Sequence, residues 1–197
     1  MTPEKTRTWF EEFCRREYVA VYRYVSAHTG NVEDAREVVQ ESFLGFHQML
    51  LAGEIREHDR ALLFRIARNK AIDLVRRHAR QKKSTRELRT GKVLTFKPPE
   101  QRTPEELLLE KERRQFAEEA LARLSDRDQE CLALRRSGLT NQQVAETLNV
   151  SAVAVRQIIS RALRRFEQFY EQLLGQTAND PLSDKANGQT NGKTGRS

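Results

Sequence analysis

Apolar residues along this chain recur at spacings of three and four, in stripes that each cover one side of a helix and cannot be hidden without a partner. Strict alternation is confined to residues 92–96, too short a run to build a sheet. The chain is therefore expected to be all-α. With 197 residues and 38% hydrophobic content, it suits one or two small helical units better than a single large core.

Phe10, Cys14, Tyr18, Val21 and Val25 mark a first helix over residues 8–29, and Gly30 ends it. Asn31 is a cap residue for a second, with Asp34 three residues on and Ala35, Val38, Val39, Phe43, Phe46 and Leu50 on its apolar face. A third begins near Arg60 and buries Leu63, Ile66, Ala67, Ala71, Leu74 and Val75. These three helices need one another, and they define a first domain over residues 6–86. Residues 87–104 hold a glycine, three prolines and no period, the composition of a flexible linker. A second helical domain is expected over 105–174, with a helix opening near Pro104 and capping signals at Ser125-x-x-Asp128 and Thr140-x-x-Gln143. Residues 175–197 carry almost no apolar side chains and are expected to be disordered.

Net charge is +7, but its distribution says more than its sum. Residues 1–59 carry seven basic and eleven acidic residues, 60–92 carry twelve and two, and 93–197 carry sixteen and fifteen. One basic block of this density marks either a solvated face or a surface for a polyanion such as nucleic acid. No apolar run approaches the roughly eighteen residues of a membrane span, and MTPEKTRTWFEEF lacks a signal-peptide core, so no membrane insertion and a cytoplasmic location are expected. Cys14 and Cys131 form no metal or redox spacing and read as small apolar residues.

The most specific segment is LTNQQVAETLNVSAVAVRQIISRALRR, residues 139–165. A helix-turn-helix needs a small residue where its helices cross, a residue tolerant of positive φ in the turn, and apolar residues seating the second helix. Ala145 and Asn149 fill the first two positions, Val144, Leu148, Val150, Val155 and Ile158 the third, and Ser151 caps the second helix. That helix would present Ala152, Ala154, Arg156, Gln157, Ser160, Arg161, Arg164 and Arg165, of which Arg and Gln suit base edges and Arg and Ser suit phosphates. The competing reading is a plain helical hairpin with a solvated arginine face.

Two further faces stand out. Arg65, Arg68, Asn69, Asp73, Arg76, Arg77 and Arg80 share one side of the third helix, extended by Lys82 and Lys83, and read as a nucleic-acid surface or a solvated face; Asp73 can simply pair with Arg76 and Arg77. Asp34, Glu37, Gln40, Glu41 and Gln48 line the second helix, read as a protein-partner surface, a solvated face or, least of all, a carboxylate metal site. No nucleophile elbow, phosphate loop or HExxH occurs, and His28, His47, His58 and His78 are scattered. Neither a metal, a cofactor nor a catalytic residue is expected, and the chain reads as a non-enzyme.

The order DAREVVQESFLGF, LLFRIARNKAIDLVRRHAR, a proline-containing linker and LSDRDQECLALRRSGLTNQQVAETLNVSAVAVRQIISRALRRF resembles an extracytoplasmic-function (group IV) RNA polymerase sigma factor of the sigma-70 family, over roughly residues 10–174. The resemblance implies a transcription initiation factor that binds core polymerase, recognises a promoter and helps melt it. It assigns Asp34, Glu37, Gln40 and Glu41 to the polymerase, whose clamp helices and flap are the implied contacts. It assigns Arg65, Arg68, Asn69, Arg76, Arg77 and Arg80 to the minus-10 element, and leaves Asp73 a structural part. Ser151, Ala154, Arg156, Gln157, Ser160, Arg161 and Arg164 fall to the minus-35 element. An anti-sigma factor is a further partner it allows. His47 and Leu62 stand where the family often has tryptophans. The alternative is a stand-alone helix-turn-helix regulator whose first domain senses or dimerises.

Overall fold

The computed structural model describes residues 3–55, 59–81 and 104–178, and among them all regular structure is helical. Seven helices are described: α1 (Pro3–Thr29), α2 (Val32–Leu51), α3 (Arg60–Gln81), α4 (Pro104–Ala122), α5 (Asp126–Arg136), α6 (Asn141–Leu148) and α7 (Ala152–Ala178). Residues 87–103 of the expected linker, and nearly all of the expected tail, lie outside the described residues; Pro104 already opens α4, and α7 continues four residues past Leu174.

The chain divides into two compact units. The first holds the described residues up to 81 together with 130–159, the second 104–129 and 160–178. In the first, α1, α2 and α3 pack pairwise and α6 packs on α3. Gly30, at φ +66°, ends α1 in the left-handed region, and Asn31 in extended backbone accepts the Glu33 N–H on its side chain. Glu33 and Asp34 then sit in the first turn of α2, where the helix dipole favours negative charge. Asp59 does the same for α3, its Oδ1 taking the Leu62 N–H at 2.8 Å.

The core of this unit is aromatic at its centre. Phe13 stacks on Trp9 and on Phe46 with centroids 5.0 and 5.1 Å apart, and Tyr24 meets the edge of Phe64 at 5.6 Å. Val21, Val25, Ala35, Val38, Val39, Leu63, Ala67 and Ala71 complete it. The stripe read for α1 is corrected here: Phe13 and Tyr24 are buried, whereas Tyr18 is 46% exposed and Phe10 and Cys14 lie at the margin. The helix begins five residues earlier than expected, and its buried face is turned by about one position. Val75 is likewise exposed, at the rim beyond Leu74.

In the same unit Cys131, Leu134, Leu139, Val144, Ala145, Val155 and Ile158 join the apolar cluster of the three helices. In the second unit Ala120, Leu124, Ala162 and Leu173 are buried, and Arg123 lies over the Phe169 ring at 6.0 Å.

Candidate nucleic-acid interface

The turn between α6 and α7 forms as its residue types dictate. The Thr140 hydroxyl accepts the Gln143 N–H at 3.2 Å while the Gln143 side chain accepts the Thr140 N–H at 2.9 Å, closing a capping box. Asn149 takes φ 55°, ψ 52°, the only positive φ outside glycine among the described residues. Asparagine is the residue after glycine that best tolerates this conformation. Ser151 then caps α7 by accepting the Ala154 N–H at 3.1 Å. Ala145 is buried at the crossing and Val144, Val155 and Ile158 fix α7, with Leu148 and Val150 packed against them. Ser125 caps α5 by only half of the expected box: its hydroxyl accepts the Asp128 N–H at 3.3 Å, and the Asp128 carboxylate turns elsewhere.

On α7, Ser151, Arg156 and Gln157 are exposed and Ala154 is half-buried. Further along the helix, in the second unit, Ser160, Arg161 and Arg164 are exposed too. Arg161 and Arg165 are not unoccupied, since their guanidiniums lie 3.4 and 3.3 Å from the two oxygens of Asp128, a carboxylate with no solvent exposure. Arg164 bends back to the Ser160 carbonyl at 3.3 Å. Arg156 and Gln157 are thus the exposed residues of α7 best suited to reach a base edge.

On α3, Arg65, Asn69, Arg76 and Arg80 are exposed and fall within about 60° of arc at 3.6 residues per turn, with Arg77 beside them. Arg68 points away from that stripe. Its guanidinium is half-buried, with Nε 3.4 Å from the Glu130 carboxylate, too poorly aligned for a hydrogen bond and so an ion pair alone. On α2, Glu37, Gln40 and Glu41 are exposed and Asp34 is half-buried opposite His78, 3.5 Å away. Lys70 of α3 pairs with Glu41 at 2.8 Å. Between α2 and α3 a shallow, open cleft of about 300 Å³ is lined by Glu37, Glu41, Lys70, Asp73, Leu74 and Arg77, so the acidic and cationic faces meet. The three carboxylates do not converge, and among the described residues no group of His, Cys, Asp and Glu is arranged to hold a metal ion.

His47 stacks on Phe10 at 4.4 Å and Leu62 is buried, so neither supplies an exposed aromatic surface. Burial pushes the Cys14 thiol up to about 11, with Glu11 adding to the effect, so it behaves as an apolar residue at neutral pH. No described helix is long and apolar enough to cross a membrane.

One cluster has no counterpart in the sequence reading. Within the first unit, Glu130 of α5 has a side chain only 14% exposed and receives three groups: the Tyr24 hydroxyl, which donates to it, the His28 Nε2 at 3.5 Å and Arg68. His28 Nδ1 is 2.8 Å from the Tyr24 carbonyl, so both ring nitrogens face acceptors, as in an imidazolium. Burial by itself would lower the His28 pKa, but the hydrogen bond and charge of Glu130 and the Tyr24 carbonyl raise it overall. Burial would raise that of Glu130, yet His28, Tyr24 and Arg68 together hold it below the usual value. Burial first, then Glu130, push the Tyr24 phenol far up, so it stays a donor. Nearby, Arg60 gives Nε to Glu17 at 2.5 Å and its two terminal nitrogens to the carbonyls of Gly138 and Ser137 at 2.5 and 2.8 Å, while lying over Phe64.

Residues 13–81 match Sigma-70 region 2 and residues 120–166 match Sigma-70, region 4, in that order. The ECF RNA polymerase sigma factor SigL of Mycobacterium tuberculosis is 32% identical over 162 residues, 80% of this chain and 86% of that protein. The ECF RNA polymerase sigma factor BldN of Streptomyces coelicolor is 30% identical over 146 residues, 73% of this chain; the chain spans about half, 53%, of that relative. Two solved structures share the fold. The sigma factor RpoE, in complex with the anti-sigma factor NepR from Bartonella quintana, matches 82% of this chain and 96% of its own with a TM-score of 0.61 at 18% identity. CnrH, in complex with the cytosolic domain of CnrY, matches 83% and 88% with a TM-score of 0.57 at 22% identity. The chain belongs to the ECF RNA polymerase sigma factors of the sigma-70 family.

Proposed function

We propose that this chain, a group IV member of its family, binds core RNA polymerase, directs it to a promoter and helps open the duplex, without catalysing a reaction itself. The observation that carries the reading is the exposed cationic stripe of α3 in a chain that also holds a capped helix-turn-helix with Arg156 and Gln157 outward. Two separate DNA-facing surfaces are what a protein needs to grip two promoter elements at once.

In this reading residues 6–86 act as the core-binding and minus-10 module, 87–104 as linker and 105–174 as the minus-35 reader. Asp34, Glu37, Gln40 and Glu41 meet the clamp helices of the polymerase largest subunit, and the second module meets the flap. Arg65, Asn69, Arg76, Arg77 and Arg80, with Arg68 once it is released from Glu130, hold the backbone of the opened strand. Phosphate contacts of this kind displace counterions, so binding should weaken steeply with salt. Ser151, Ala154, Arg156, Gln157, Ser160, Arg161 and Arg164 face the minus-35 groove, where Arg156 and Gln157 have the donors to read base edges. An anti-sigma factor is a natural partner, as NepR is for RpoE in their solved complex. The protein would work in the cytoplasm, where the polymerase is.

The test is reconstitution with bacterial core polymerase. The chain should co-elute with core and confer promoter-dependent run-off transcription. Arg156→Ala should weaken promoter recognition by about 1–3 kcal/mol while leaving core binding unchanged. A chain that ignores core yet binds one duplex tightly by itself would overturn the proposal in favour of a stand-alone regulator.

A further inference from the structure

α7 runs to Ala178, well past the end of the region 4 match at residue 166, and its apolar side chains do not stop there. Within the second unit one face of the helix is satisfied: Ala162 and Leu173 are buried, and Phe169 lies under the Arg123 guanidinium. The adjoining face is not. Leu163 and Leu174 are 47% and 41% exposed, and with Tyr170 they fall within about 40° of arc at 3.6 residues per turn. The Tyr170 ring stacks on that of Phe166 at 5.8 Å, which sets a half-buried aromatic pair between the two leucines. Such a stripe, about 17 Å long at 1.5 Å per residue, has the spacing of a seam along which helices pair.

The polar border of the stripe indicates which partner fits it. On the side away from Ala162 and Leu173, the exposed Arg164 flanks its first turn, and the exposed Glu167 and Glu171 flank the turns beyond. In an antiparallel pair of identical helices each flank meets its own copy in reverse order, so Arg164 faces Glu171 of the second copy and symmetry repeats the contact at the other end. A parallel pair would set this flank against the opposite one, where Ala162 and Leu173 already pack, and would make no such contact. The chain's own C-terminal residues suit the stripe poorly, since Leu182 is the one large apolar side chain in residues 179–197. We propose that this face of α7 is a self-association surface, on which two copies of the chain pair through antiparallel α7 helices, with Leu163, Phe166, Tyr170 and Leu174 at the seam and Arg164 against Glu171 at both ends. An interface of this length falls below the roughly 1,200 Å² of stable complexes, so the pair is weak and forms at micromolar concentration. The inference goes beyond the promoter reading and stands or falls without it.

The experiment is sedimentation equilibrium of the full-length chain from low to high micromolar concentration. The unaltered chain should rise in average mass from one chain toward two. Leu174→Glu, which puts a charge at the seam of each copy, should stay at one at unchanged helical content by circular dichroism. Arg164→Glu and Glu171→Arg should each weaken pairing about tenfold, since symmetry counts the reversed contact twice. An equal mixture of those two variants should pair as well as the unaltered chain, because every contact across the mixed pair joins opposite charges; this recovery also shows that both variants are folded. Leu174 replaced by a photo-reactive phenylalanine analogue should capture α7 of a second copy. An unaltered chain that remains monomeric overturns the proposal. So does a mixture that pairs no better than either variant, which removes the antiparallel arrangement, and so does capture of residues 87–103 of the same chain, which would name that segment as the occupant of the stripe.

Discussion

Asp128 and Glu130 stand two residues apart on α5, on different sides of the helix, and both are carboxylates taken out of water. Asp128, in the second unit, is fully buried and held by two half-exposed arginines of α7. Glu130, in the first, is held by a phenol, an imidazole and one half-buried arginine. A guanidinium keeps its charge at any ordinary pH, so the partners of Asp128 do not titrate, whereas one of the Glu130 partners, His28, is an imidazole that does. Neighbouring acids on one helix thus differ in kind: one is held on α7 by two guanidiniums, the other by a group that includes a titratable imidazole.

The largest effect that would break this comparison is at Glu130. Glu130→Ala leaves Arg68, His28 and the Tyr24 hydroxyl unpaired in a half-buried site, and should lower unfolding free energy by about 3 kcal/mol in chemical denaturation. Asp128→Ala should cost less, about 1–2 kcal/mol, because its arginine partners can return to water. If the Asp128 variant were the more damaged, the exposure of the partners would not be what separates the two sites.

Acidity sharpens the contrast. The His28 pKa is raised above its ordinary 6.5 in the folded chain, so its contribution is fully present below that value and fades as pH climbs through the raised one. The Glu130 pKa is lowered from 4.5, so its contribution is lost only as pH falls through the lowered value. The α5–α6 hairpin should therefore be held most firmly between about pH 4.5 and 6.5 and loosen as pH rises through the raised His28 value, and amide exchange in α6 should speed up accordingly. His28→Gln should abolish that dependence and leave exchange in α4 unaffected. The smallest expected change is local to the turn: Asn149→Gly, which relieves a non-glycine φ of 55°, should raise stability by about 0.5 kcal/mol, visible as a small rise in Tm.

The parts of this fold that are legible in the amino-acid sequence are those whose causes lie within four residues. Asn31, Thr140 with Gln143, Asn149 and Ser151 act on backbone groups next to them, and residue type alone declares the role. What is not legible is long-range. Tyr24 and Glu130 are 106 residues apart, and neither a period nor a spacing links them. The carboxylates that meet Arg68 and Arg161 are of the same kind: a helix-face argument sees only neighbours on the same helix, and these partners lie on another. The choice of Phe13 and Tyr24 over Phe10 and Tyr18 on α1 is of the same kind, decided by Phe46 and Phe64 across the bundle.

Strand opening is the property that separates this account from any simple DNA-binding one. Duplexes selected from a random pool by the chain with core polymerase can be probed with permanganate, which oxidises unstacked thymines. Reactive thymines should appear in a short segment only when chain and core are both present, and Arg65→Ala with Arg76→Ala should reduce them while core binding persists. Binding of the duplex by the chain alone, with no opening when core is added, would contradict the account.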